Sequence, residues 1–180
     1  QARALSELAE SIWDLRPDDS RGLDLAREAL DLSSDDPHNV LLVAEILHRQ
    51  IGVDAVREHF LDLLVHTERR DLRLLAHRQL ADLYRGPLGS PDRAEKHLRK
   101  VLDIDPADEG AFEIVVQVCR ASSDLESLVE LFEAALRQQM PSSRSVKLLG
   151  ELGRILWHEL RDLERASDAY RRLRALSPKN

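Results

Sequence analysis

The sequence predicts an all-α solenoid, five helix-turn-helix units set in a row with about ten helices. Three observations carry this. Apolar and small residues recur at intervals of three, one and three from positions 5, 40, 77, 112 and 149, starts that differ by 35, 37, 35 and 37. A second, three-position signature follows each of these runs at helical spacing. Finally, 43% of residues are hydrophobic but only 4% aromatic, so Leu, Ala and Val must do the packing, which suits helices stacked closely in thin layers.

Taken in order, residues 2–36 carry Leu5, Leu8, Ala9 and Ile12, then Gly22, Ala26 and Ala29. The second unit, 37–73, opens with Asp36 as N-cap and Pro37 in the first helical position. It continues with Val40, Val43, Ala44 and Leu47, then Val56, Phe60 and Leu63. In the third, 74–108, His77, Leu80, Ala81 and Tyr84 precede "GPLGS" at Gly86–Ser90, which keeps the register and reads as a turn. Ser90 and Pro91 then open a helix with Ala94, Leu98 and Val101, closed by Pro106. The fourth unit, 109–145, has Phe112, Val115, Val116 and Cys119, a capping box of Ser123 with Glu126, and Leu128, Phe132 and Ala135 before Pro141. The fifth, 146–180, has Leu149, Leu152, Gly153 and Leu156, then Ala166, Tyr170 and Leu173, and ends at Pro178. Turns within a unit are longer in the first, third and fifth, and connections between units are longer after the second and fourth. That alternation makes the segments starting at Pro17, Gly89 and Arg161 echo one another every 72 residues. The whole chain therefore reads as one solenoid segment. With Met140 its only methionine, it also reads as a piece of a longer protein.

Composition removes several function classes. A net charge of −7 argues against nucleic acid as a partner, since that binding needs a basic field. No apolar run is long enough to insert in a membrane. Cys119 is the single cysteine, so no disulfide framework or multi-cysteine metal site exists, and at a core position its thiol is expected to be inert. "HELRD" at His158–Asp162 begins like a zinc-protease helix, but Asp162 stands where the second histidine is needed. His158 and Asp162 would hold a metal only with a third ligand. His77 falls on the core pattern and reads as a satisfied, partly buried side chain, whereas His59 and His66 read as surface residues. Glycine-rich phosphate loops and nucleophile elbows are absent, so the expectation is no enzyme, no cofactor and no metal.

"HRQLADLY…DRAEKHLRKVLDIDP" and "LGELGRIL…LERASDAYRRLRALSP" resemble the tetratricopeptide repeat (TPR), a helix-turn-helix unit of about 34 residues. The resemblance covers essentially the whole chain. Departures exist: no unit has Trp at the first large position, Val56 and Leu128 replace a small residue, and the second and fourth units lack the closing proline at its usual place. Those two units are expected to pack at wider spacing, giving a less regular curve. The resemblance implies a right-handed superhelix whose first helices line a concave groove. It implies a protein or peptide as the partner, held by inner-face residues. The positions that match are Glu10, Trp13 and Asp14; Glu45, His48 and Arg49; Arg78, Asp82 and Arg85; Glu113, Gln117 and Arg120; and Arg154, Trp157 and His158. One equivalent position reads Trp13, His48, Arg85, Arg120, Trp157, a cationic stripe with a tryptophan at each end. Arginine forks onto carboxylates, and tryptophan anchors apolar area at low entropy cost. The family's clamp for a C-terminal carboxylate, built from Lys and Asn, is not matched by Ser6, Glu10, Leu41, Glu45, Arg78 and Asp82. As an alternative function, the segment is a spacer or self-association module that stacks through exposed end units.

Overall fold

A computed structural model describes residues 1–139 and 141–177, so the boundary assigned to Pro178 lies outside the described residues. Within them are ten α-helices and no strand: α1 (Ala2–Leu15), α2 (Ser20–Leu32), α3 (Pro37–Gln50), α4 (Val53–His66), α5 (Arg70–Arg85), α6 (Pro91–Ile104), α7 (Glu109–Ala121), α8 (Leu125–Leu136), α9 (Ser142–Arg154) and α10 (Leu163–Leu176). A π-helical turn, Ile155–Glu159, extends α9. None of these helices is long and apolar enough to cross a membrane.

Aspartates start five of the ten. The carboxylates of Asp19, Asp36, Asp108, Asp124 and Asp162 accept from backbone N–H groups in the first turns of α2, α3, α7, α8 and α10. Each satisfies a donor that the helix cannot pair internally, a contribution of about 1 kcal/mol. The capping box expected at Ser123 is corrected here: Asp124 is the cap, accepting from Ser127. Ser123 instead has φ 58°, the left-handed turn that ends α7, and the Asp124 N–H bonds back to the Cys119 carbonyl at 2.9 Å. Gly86–Ser90 is indeed the α5–α6 turn, with Gly89 at φ 56° and the Ser90 N–H donating to the Tyr84 carbonyl at 2.7 Å.

The chain divides into two units, Gln1–Lys100 and Val101–Asn180. In the first, α1 packs on α2, both meet α3, and α4 joins α3 to α5. Ala9, Ala26, Val40, Val43, Leu47, Val56, Phe60, Leu72, Ala76, Leu80 and Ala94 belong to one continuous apolar core. Asn39 is the most deeply buried of three buried polar residues in this unit, 1% exposed, with Ser6 and His77 the others. Its amide donates to the Ala29 carbonyl at 3.2 Å, and its oxygen accepts from the Ser6 hydroxyl at 2.6 Å. His77 is buried as expected, with Nδ1 3.0 Å from Nδ1 of His97.

In the second unit, α7 packs on α8, α8 on α9, and α9 on α10. Phe112 stacks on Phe132 at 5.8 Å between centroids, and Val115, Cys119, Leu128, Leu149, Leu152 and Leu156 are buried in the same unit. Gly153 lies against Tyr170, where a Cβ would stand 2.8 Å from the ring. At Gly22 a Cβ would meet Ile12 at 3.5 Å, an ordinary contact. The same substitution should therefore have opposite signs at the two sites. Gly153→Ala is expected to destabilise by about 1–2 kcal/mol net of the helix propensity gained, and Gly22→Ala to stabilise by about 0.5–1 kcal/mol. Urea unfolding followed by circular dichroism reads both, and equal signs would refute the packing at Gly153.

Candidate functional site

In the first unit, the positions expected to line a groove fall on α1, α3 and α5. Glu45, His48 and Arg49 are exposed and share one face of α3, as Arg78, Asp82 and Arg85 do on α5. Trp13 is half-buried against the core, and the Arg49 guanidinium lies over its ring, 5.5 Å from the centroid. That pairing is worth about 0.5–1 kcal/mol at an exposed site. Arg85 reaches Asp82 on its own helix at 3.6 Å.

The second unit holds a formed cleft of about 640 Å³ between α7 and α9. Phe112, Val116, Phe132 and Leu148 make its apolar floor. Glu113, Gln117 and Arg120 from α7 line it opposite Arg144, Lys147 and Glu151 from α9. Two ion pairs cross between the helices in opposite senses: Arg120 to Glu151 at 2.5 Å, and Arg144 to Glu109 at 2.8 Å. Arg144 also covers the Phe112 ring, 5.5 Å from its centroid. The Arg120 pair is partly open to water, at 50% and 32% exposure, so solvent screens it and it holds the helices together only weakly. An incoming carboxylate could take the arginine without costing the fold much.

Gln117 and Arg120 are thus brought together in one cleft, joined by Arg144, Lys147, Glu109 and Glu151, which the sequence reading did not single out. Partners 31 and 35 residues apart leave no local signal. Arg154 lies elsewhere, beside a second cleft between α9 and α10, and pairs with Glu159 at 3.1 Å. Trp157, 44% exposed, and His158 stand on the π-helical turn. Asp162 is occupied as the cap of α10, accepting from the Arg165 N–H at 3.1 Å. Among the described residues no cluster of His, Cys, Asp and Glu could hold a metal ion.

One histidine expectation needs correcting. His66 is exposed, but His59 is half-buried, its Nε2 3.0 Å from the Val40 carbonyl. Burial pushes its pKa below the ordinary imidazole range despite that carbonyl, and burial lowers His97 likewise. Both are therefore neutral in the folded chain near pH 7. Below about pH 6.5 the unfolded chain takes up protons that these folded imidazoles refuse, so stability is greatest above that pH and falls on acidification. The urea midpoint is expected to drop from about pH 7 to about pH 5, and less so in His59→Gln/His97→Gln. An unchanged drop would show that other groups carry it.

No protein-family model matches the chain, and a comparison with curated proteins finds no match. Solved structures do match. PilF of Pseudomonas aeruginosa superposes with a TM-score of 0.54 at 15% identity, over 100% of this chain and 78% of that one. A TPR repeats protein from Bacteroides fragilis NCTC 9343 has a TM-score of 0.54 at 11% identity, over 100% of this chain and 93% of the other. The chain has the tetratricopeptide-repeat fold. MamA superposes as well, with a TM-score of 0.51 at 16% identity over 76% of this chain and 77% of its own. In TPR terms the aligned small positions are Ala9, Ala44, Ala81, Val116 and Gly153, and all but Val116 are buried. The departures at Val56 and Leu128 are accommodated, since both are buried beside Phe60 and Phe132.

Proposed function

We propose that this chain is a non-catalytic scaffold that binds a protein or peptide segment along the inner faces of its first helices. The α7/α9 cleft supports the reading: an apolar floor of Phe112, Val116 and Leu148 under a rim whose charges are already paired weakly. A bound segment supplies an apolar side chain to that floor and a carboxylate to Arg120, Arg144 or Lys147. Trp13, Glu45, His48, Arg49, Arg78, Asp82 and Arg85 are the corresponding positions in the first unit, and Arg154 and Trp157 those that follow on α9 and its extension. Binding of this kind concentrates its energy in a few central residues, so Arg120 and Val116 should dominate.

Peptides selected by display on the immobilised protein provide the probe. Their affinity, read by fluorescence polarisation, is expected to fall about tenfold or more in Arg120→Glu and in Val116→Asp, a loss of about 1.4 kcal/mol or more. A further loss in Arg85→Glu would extend the contact to the first unit. Peptides that bind all variants equally would move the binding surface away from these helices.

A further inference from the structure

His77 departs from the repeat register. The equivalent positions in the other repeats are Leu5, Val40, Phe112 and Leu149, all apolar. His97 stands on α6 where the second repeat has His59 on α4, and each of these histidines reaches the first large position of its own repeat. In the second repeat that position is Val40, and His59 meets its backbone carbonyl, Nε2 to oxygen at 3.0 Å. In the third it is His77, and imidazole meets imidazole, Nδ1 to Nδ1 at 3.0 Å. The ring centroids are 5.3 Å apart, longer than the atomic contact by about the width of one ring. The two nitrogens therefore lie between the rings and face each other.

Nitrogens so placed form a hydrogen bond only when one carries a proton and the other a lone pair. A proton added at the far nitrogen of the donor ring leaves that bond intact and charge-assisted. A second proton must take the lone pair itself, and two imidazolium N–H groups then point at each other. His59 has no such limit, because its N–H donates to the Val40 carbonyl whether the ring is neutral or charged. The charges around the pair do not favour a second proton. One helical turn from either histidine, the charged residues are Arg73, Arg93 and Lys100, all cations. Tyr84 of α5 stacks on His97 at 5.5 Å, and Arg93 lies over the Tyr84 ring. From α4, Arg57 comes near Tyr84, and its own partners are Asp54 and Glu58.

We infer that His77 and His97 are a proton-operated lock on the α5/α6 pair, closed while the two rings hold at most one extra proton and open when they hold two. Below about pH 6.5 the unfolded chain takes both protons while the closed lock takes one, so closure weakens as pH falls. Acid thereby loosens α5, the helix that carries Arg78, Asp82 and Arg85.

Long-range ¹H–¹⁵N correlation spectra of the intact chain test this. Near neutral pH one of the two histidines should carry its proton on Nδ1 and the other should not. On acidification the pair should titrate in two steps more than about one pH unit apart. In His77→Leu, which restores the apolar residue of the register, His97 should titrate in a single step. Hydrogen exchange supplies the second readout. From about pH 7 to about pH 5, corrected for intrinsic rates, α5 and α6 should lose about tenfold or more in protection relative to α3 and α4. His77→Leu should abolish that selective loss. So should His97→Gln, whose amide both donates and accepts. Circular dichroism at neutral pH checks that both variants remain helical. Wild-type histidines that titrate independently, Nδ1 bare on both, an equal loss in the two helix pairs, or a selective loss that survives both variants would each overturn the inference.

Discussion

Phe132→Ala is expected to destabilise the chain by about 3–5 kcal/mol, the largest effect of any single truncation considered. Phe132 is 1% exposed, and its ring stacks on Phe112 at 5.8 Å. Phe112 is in turn covered by Arg144 from α9. One ring therefore ties α8 to α7 and, through it, to α9. Alanine removes the transfer term and leaves a cavity that three helices would have to close. In a repeat fold stability is close to a sum of pair and neighbour terms, so damage at one junction is not shared across a distant core. At a slope of about 2 kcal/mol/M in urea, the midpoint should fall by about 1.5–2.5 M. A fall under about 0.5 M would mean that the stacked pair is not where the second unit is held together. Phe132→Leu keeps most of the volume and should cost only about 1 kcal/mol.

Asn39→Ala is expected to cost about 1–3 kcal/mol, more than its side chain's size alone suggests. Asn39 bonds three places at once: the Ser6 hydroxyl of α1, the Ala29 carbonyl of α2, and, at 3.5 Å, the Ser33 carbonyl beyond α2. Its position at the start of α3 makes it the polar junction of three helices in an otherwise apolar layer. Ser6→Ala should cost less, because Asn39 keeps its backbone partners; in the wild type the Ser6 hydroxyl is already shared with the Ala2 carbonyl. The Ser6→Ala/Asn39→Ala double variant should lose less than the two singles combined, since they share one bond. Full additivity in urea titrations would remove the junction from the account.

Much of the architecture was legible in the chain. Val40, Val43, Ala44 and Leu47 sit at helical intervals and are all buried, and the same holds for His77, Leu80, Ala81 and Tyr84. Asp36 and Pro37 announced α3 because a cap bonds within two residues of itself. The errors are local in cause. Ser123 and Glu126 fit a capping box, yet the adjacent Asp124 was an equally good cap, and only the left-handed backbone at Ser123 decides between them. His59 stood on the edge of an apolar face, where spacing does not say whether a ring meets water or a carbonyl. Gln117 and Arg120 were named through the resemblance to the repeat family, whereas Arg144 and Glu151 were not named at all. They enter the cleft from a neighbouring helix whose facing side depends on how the pairs are set against each other.

By itself, then, the sequence determined what short-range physics determines: which stripes are helical and apolar, where a few of the helices start, and that the units repeat. These follow from backbone geometry and from the period of side chains around one axis. Tertiary structure alone decided which charged side chains meet across thirty residues, which buried polar groups find partners, and which apolar positions of the register go uncovered. Those depend on the packing of one helix against another, and no pattern along a single helix records it.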